Sequence, residues 1–422
     1  MAQLLHIADI HFGAPLRSKD GRLRALLRQA TSAAFEAAVS FAIHEEVDAV
    51  LIAGDLFDSG SVDLETELFL RTQFNRLKTN DIRVFVSPGN HDSVAAMNSG
   101  RTIDWPDNVH FFRSQTPETV QITTDSGPIK IVGAAHESPA VRENIVASFP
   151  RSDGSAPHIG LVHAMVTSPT GAVRTAMSAV GDSVHERYAP CTAADLRHKN
   201  YSYWALGHIH VPGQIGGVNA FYAGCIQGRH HKEGGPRGGY LVSIDASGFL
   251  RTEFVPFAKL VWDEVAIVEL PDSLSELESV IASRLQECRE SNVTASFAVR
   301  LILWGPTALY SELQDADELA ALVDRWMAEF ELEGLEIETG HVYPRIDLGA
   351  LRNEPTVLGE ALRLIDTIRE NGIESVAEAH PDLLADIGAP ESGGLLARDL
   401  DLDRLENRLA QRLVVRTEIG RS

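Results

Sequence analysis

The sequence predicts an α/β fold whose reactive groups gather at strand ends. Three observations carry this. Short apolar runs of strand length recur through the first half of the chain, helical spacing separates the first two, and each run ends in Asp, Asn or His. Such βαβ alternation implies a largely parallel sheet, and open sheets of that kind place ligands beyond the carboxyl ends of their strands.

The elements follow in order. Residues 4–8 (LLHIA) read as a buried strand, after which Asp9 and His11 share a side because strand side chains alternate. Ala34, Phe35, Ala38, Val39, Ala42 and Ile43 recur at helical spacing. Residues 49–53 form a second buried strand, and Gly54 lets the chain turn tightly before Asp55 and Asp58. A third run, 84–86, leads through Ser87-Pro88-Gly89 to Asn90, His91 and Asp92. Residues 159–162 run into His163, and 203–206 into Gly207, His208 and His210.

Each motif alone has an ordinary reading. Asp-x-His is commonly a cap or surface pair, Gly-Asp and Gly-Asn are turn chemistry, and a lone His163 could be a satisfied histidine. Their joint occurrence, each after an apolar run, points instead to a site assembled by tertiary folding. Mixed oxygen and imidazole donors suit Mn²⁺, Fe or Zn rather than Ca²⁺ alone. Two such cations provide what a phosphoester-cleaving site needs.

The order D-x-H, GDxxD, GNHD, H, GHxH resembles the calcineurin-like metallophosphoesterase superfamily. Within it the chain resembles the SbcD-type DNA repair exonucleases, and among these their YhaO-like branch. The finer matches are DIHFG at 9–13, AGDLFD at 53–58, ALGHIH at 205–210, and the stretch from Tyr222-Ala223-Gly224 through Arg229-His230 to Gly239. The likeness is strong over residues 1–250 and fades beyond 345.

The resemblance implies a metallophosphoesterase β-sandwich core with flanking helices over 1–255, a small α+β capping-like domain over 256–344, and a helical C-terminal region over 345–422. It implies one metal on Asp9, His11 and His210, a second on Asn90, His163 and His208, and Asp55 bridging both, with Mn²⁺ the expected ion. His91 is implied as general acid or transition-state donor, with Asp92 orienting its imidazole. Some nucleases of the group carry a histidine where this chain has Asp58. Asp58, Arg229 and His230 are expected on the substrate side. The implied activity is a double-strand 3′–5′ exonuclease with single-strand endonuclease action. DNA and an SbcC-like coiled-coil ABC ATPase are the implied partners, and a homodimer is compatible. A small-molecule phosphoesterase on the same core, and a DNA-end-binding scaffold dependent on the ATPase, are the alternatives.

Composition bounds these readings. A length of 422 residues suits two or three domains. No apolar run approaches the ~18–20 residues of a membrane span. With a candidate ligand already at Asp9, inside the first strand–turn unit, removing this segment would destroy the site, so no cleaved leader is expected. Cys191, Cys225 and Cys288 are widely spaced and suit reduced thiols in a cytoplasm. The net charge of −22 argues against holding nucleic acid by a basic surface alone. Its distribution softens that objection: residues 1–250 hold 21 Lys and Arg against 25 Asp and Glu, and the remainder 16 against 34.

The C-terminal part reads as β-α-β-α-β. A strand over 262–270 precedes a helical stripe of Leu274, Leu277, Ile281, Leu285 and Cys288. Phe297, Val299, Leu301 and Leu303 alternate as a strand, Leu319, Leu322, Val323, Trp326 and Phe330 mark a second helix, and a last strand begins near Leu335. Leu358, Leu362, Ile365 and Ile368 then form a stripe closed by Asn371-Gly372. A further stripe, Leu402, Leu405, Leu409 and Leu413, is the expected docking element for the ATPase.

Overall fold

The computed structural model describes residues 1–15, 21–58, 62–99, 103–167, 188–290, 296–345 and 348–372. The described chain divides into two compact units. One comprises Met1–Val265, Leu285–Arg300 and Trp326–Glu336; the other comprises Ala266–Arg284, Leu301–Arg325 and the described residues from Ile337 on.

Two six-stranded mixed sheets replace the single, largely parallel sheet that the alternation predicts. In the first, spatial order runs Leu250–Pro256, Gly238–Ile244, Ala2–Ile7, Ala49–Ile52, Arg83–Val86 and Val109–Phe111. The last four of these are mutually parallel, Gly238–Ile244 runs antiparallel to Ala2–Ile7, and Leu250–Pro256 forms the edge antiparallel to Gly238–Ile244. The second runs Gly213–Gln214, Ala220–Tyr222, Tyr203–Gly207, His158–His163, Gly127–Gly133 and Glu118–Thr124. Its central pairs are parallel and its two outer pairs antiparallel. Periodicity identifies strands but carries no record of which sheet each joins.

The motif strands are apolar on both faces because both faces are covered. Leu4, Leu51 and Phe85 pack inward against Ile131, Ile159, Leu161 and Tyr203 of the second sheet. Their neighbours Leu5, Ile7, Val50 and Ile52 point outward to Phe35, Val39, Leu70 and Phe74 on α1 (Gly21–His44) and α2 (Leu64–Thr79). On the outer face of the second sheet Val162, Trp204 and Leu206 pack on Val146, Phe149 and Leu196. The result is a β-sandwich with helices outside. Asp63 caps α2 by accepting the Thr66 N–H at 2.7 Å.

Leu260–Ile267, Ser296–Thr307 and Gly334–Pro344 form a three-stranded sheet in that order, with Leu274–Glu290 and Ala316–Glu329 as the main intervening helices. The helix Val357–Asn371 buries Leu358, Leu362 and Ile365 and ends at Gly372, whose φ of 82° suits glycine. The stripe from Leu402 to Leu413 lies outside the described residues. No helix among the described residues is long and apolar enough to cross a membrane.

Candidate metal centre

Five strand ends converge on one place. Ala2–Ile7, Ala49–Ile52 and Arg83–Val86 arrive from the first sheet, His158–His163 and Tyr203–Gly207 from the second. The two loops leaving the first sheet zip together: Asp9 N–H donates to Gly54 O at 3.1 Å, His11 N–H to Asp55 O at 2.9 Å, and Phe12 N–H to Leu56 O at 3.0 Å. Along this register Asp9 (φ 50°), His11 (φ 54°) and Asp55 (φ 50°) take backbone conformations that L residues avoid, as does His208 (φ 101°) at the end of its own strand. Strain of this kind, of order 1 kcal/mol or more per residue, persists where surrounding structure over-determines it.

Glycines make the approach possible. Gly54 has φ +89°, and a Cβ there would strike the His163 ring; a Cβ at Gly89 would strike Asp55 Oδ1 and the same ring. His163 therefore sits directly against two backbones.

Donor atoms of Asp9, His11 and His210 lie within 4.8 Å of one another, as do those of Asp9, Asp55 and His163. Asp55 Oδ2 stands 3.7 Å from His11 Nε2 and 3.3 Å from His163 Nε2, between the two groups. Asn90 Oδ1 is 3.0 Å from His163 Nε2. The His208 backbone N–H donates to both Asp9 oxygens, at 3.0 and 3.1 Å, and the His208 ring meets the His163 ring edge-on at 5.2 Å.

Hydrogen bonds on the far side of each imidazole set what the near side presents. His163 Nδ1 is 3.0 Å from Ala53 O, His11 Nδ1 is 2.9 Å from Asp58 Oδ1, and His210 Nδ1 is 2.6 Å from Glu233 Oε1. Each partner accepts the Nδ1 proton, so each Nε2 turns a lone pair inward. His11 Nε2 and His210 Nε2 then face each other across 3.3 Å, beside the Asp9 carboxylate. Imidazole nitrogens and a carboxylate converging in this way suit a divalent cation.

Electrostatics agree. Burial raises the Asp9 carboxyl to about 6, against the pull of His210. Burial and the Asp92 charge hold Asp55 well above the usual range. Burial, then Arg229 and His210, keep His11 well below the usual imidazole range, and burial with His208 does the same to His163. Buried carboxylates and neutral imidazoles of this type are stabilised together by a cation.

The calcineurin-like phosphoesterase model matches residues 2–212, which is half of the chain and includes every donor from Asp9 to His210. The chain belongs to the calcineurin-like phosphoesterase family. It is 32% identical over 308 residues to the uncharacterized metallophosphoesterase YhaO of Bacillus subtilis (strain 168), covering 71% of each chain. It is 23% identical over 433 residues to the DNA double-strand break repair protein Mre11 of Methanopyrus kandleri, covering 93% of this chain and 88% of that one. A local match to the SbcD component of the nuclease SbcCD of Escherichia coli (strain K12) is 36% identical over 106 residues, 24% of each chain.

Around this phosphoesterase centre the remaining expected residues take definite places. The His91 ring lies 4.8 Å from the His11 ring, and the His91 backbone N–H donates to Asp55 Oδ1 at 3.0 Å. The carboxylate beside the His91 ring is Asp58, with Oδ1 3.3 Å from Nδ1. Asp92, expected there, instead accepts the backbone N–H groups of Gly89 at 2.6 Å, Leu56 at 2.8 Å and Asp55 at 3.2 Å. The loop that brings His91 to the centre needs an acceptor for those amides, and Asp92 is the buried side chain that reaches them. Arg229 is drawn to Glu233 and Asp58, while His230 is the more exposed member of that cluster, its Nε2 3.7 Å from Glu233. His136 is buried with Nε2 2.7 Å from His163 O. Glu233 is absent from the sequence-based site. Its only signal is that it is the sole acid between Arg229 and Arg237, masked by the cationic residues around it.

Proposed function

We propose that the protein is a metal-dependent DNA phosphodiesterase: a double-strand 3′–5′ exonuclease with single-strand endonuclease action, working in DNA repair. The observation that carries this reading is His91, beside Asp58 at the edge of the cluster formed by Asp9, His11, Asp55, His163 and His210. Likeness to Mre11 across nearly the whole chain supports DNA as substrate.

Asp9, His11 and His210 would hold one cation, Asn90, His163 and His208 the other, with Asp55 shared; Mn²⁺ is the proposed ion. When bound, two such ions supply an activated water and offset charge on the phosphate oxygens. The residues of the chain do the rest. As the imidazolium, His91 donates Nδ1–H to the Asp58 backbone carbonyl at 3.3 Å, with the Asp58 carboxylate alongside to offset the charge, and its Nε2–H is the proton passed to the departing sugar oxygen. His230 is exposed enough to meet a backbone phosphate, with Arg229 and Asp58 behind it. The capping-like segment at 256–344 would meet the DNA end, and an SbcC-like coiled-coil ATPase would dock on the C-terminal region in the cytoplasm.

The test is Mn²⁺-dependent digestion of an end-labelled duplex by purified protein, beside a small chromogenic phosphodiester, with His91→Ala and Asp55→Ala as controls. Cleavage of both substrates, lost in both variants, is the expected result. If only the small ester is cleaved, with and without added ATPase partner, the DNA reading fails. DNA affinity should also fall steeply with salt, which a small-molecule enzyme would not show.

A further inference from the structure

Glu233 lies on the segment that follows the last metal motif, and its side chain is buried to 1% exposure. Burial alone would push its carboxyl up, but the His210 hydrogen bond and the Arg229 guanidinium hold it well below the usual range. Its Oε1 meets His210 Nδ1 at 2.6 Å and accepts from Arg229 Nη2 at 3.0 Å. Its Oε2 accepts the Arg229 backbone N–H at 2.7 Å. Buried Arg237 ties the same turn down, donating Nε to Glu233 O at 3.0 Å and Nη1 to His210 O at 2.5 Å.

Arg229 also reaches the other way. Its Nη1 is 3.8 Å from Asp58 Oδ1, and that oxygen is 2.9 Å from His11 Nδ1. A carboxylate–guanidinium–carboxylate chain therefore links the outer nitrogen of His11 to the outer nitrogen of His210. The guanidinium offsets two anions that would be costly to bury unpaired. An ordinary structural ion pair need not end on imidazoles. This one ends on two whose inner nitrogens are 3.3 Å apart.

We propose that Asp58, Arg229 and Glu233 act as one positioning unit that aims His11 and His210 at a single cation, with Glu233 fixing the His210 tautomer. The inference rests on the metal reading of the centre and not on its substrate. Outer partners of this type commonly change metal affinity 10–100-fold.

Calorimetric titration of the metal-free full chain with Mn²⁺ tests this on wild type, Glu233→Gln and Asp58→Asn, with metal-free melting followed by circular dichroism. The expected result is two ions on wild type. In both variants one ion should bind as in wild type and the other roughly 10–100-fold more weakly, in protein whose metal-free melting remains cooperative. Wild-type affinity for both ions in either folded variant overturns the proposal. Equal weakening of both ions also overturns it, since that marks general loosening. If Glu233→Gln does not fold, Asp58→Asn, at a partly exposed position, decides by the same comparison. Fewer than two ions on wild type overturns the proposal together with the metal reading. No nucleic acid enters the titration, so a failure of the nuclease reading registers only in the digestion assay.

Discussion

His11 and His210 meet Nε2 to Nε2 at 3.3 Å, although they lie 199 positions apart along the chain. Each ring gives its Nδ1 to a carboxylate, Asp58 for His11 and Glu233 for His210, which leaves the two Nε2 atoms to share a cation. Removing one donor should therefore cost one ion, and removing the shared donor should cost both. His210→Ala is expected to titrate with a single Mn²⁺ and Asp55→Ala with none, read by calorimetry on metal-free protein. An unchanged stoichiometry in His210→Ala would remove it from the ligand set.

His91 is proposed to act on the substrate and not as a ligand. It touches the centre through its backbone N–H on Asp55 and presents its ring against Asp58. His91→Ala should lower turnover about 10²–10⁴-fold, the usual range for a positioned proton donor, while both ions bind with wild-type affinity. A matching loss of metal would show that the residue acts through the site's structure and not on the substrate.

Asp92 serves the loops. Its carboxylate gathers the amides of Gly89, Asp55 and Leu56 in a fully buried setting. Asp92→Ala strands those N–H groups, and leaving a buried donor unmet costs about 1–3 kcal/mol each. The urea midpoint of the metal-free variant should fall by several kcal/mol equivalent, with Asp92→Asn intermediate because one oxygen remains. Near-wild-type stability in Asp92→Ala would mean that water replaces the carboxylate without loss.

The residues that converge at the strand ends were legible because each follows an apolar run. Strand periodicity survives in sequence, and so did the existence of the sandwich elements and the helix Val357–Asn371. What lay hidden depends on distance in space. Sheet membership is decided by long-range pairing, so Ala2–Ile7 gives no local hint that Gly238–Ile244 is its antiparallel neighbour. The roles of Asp58, Asp92 and Glu233 follow from hydrogen bonds spanning 23 to 47 residues or aimed at loop amides. Spacing along the chain contains no trace of such contacts. The positive φ values of Asp9, His11 and Asp55 are equally silent, because none of these residues is glycine.

His6 provides a test of the core away from the donors. It lies fully buried in the first strand, with Nδ1 2.8 Å from the Tyr203 hydroxyl, and burial lowers its pKa to about 3. In the unfolded chain the ring titrates near its ordinary value of 6.5. Between those two values the unfolded state binds one proton more than the folded state. Stability is thus full above 6.5 and falls as pH drops, by about 1.4 kcal/mol per unit for this group. From pH 6.5 to 5 the loss should be about 2 kcal/mol. His6→Gln retains hydrogen-bonding atoms near Tyr203 but cannot take up the proton. Urea unfolding of metal-free wild type and variant at pH 7 and pH 5 should show the wild type losing ground by about that amount. Parallel stabilities at the two pH values would show that the folded core accommodates a charged His6, and the burial account would fall.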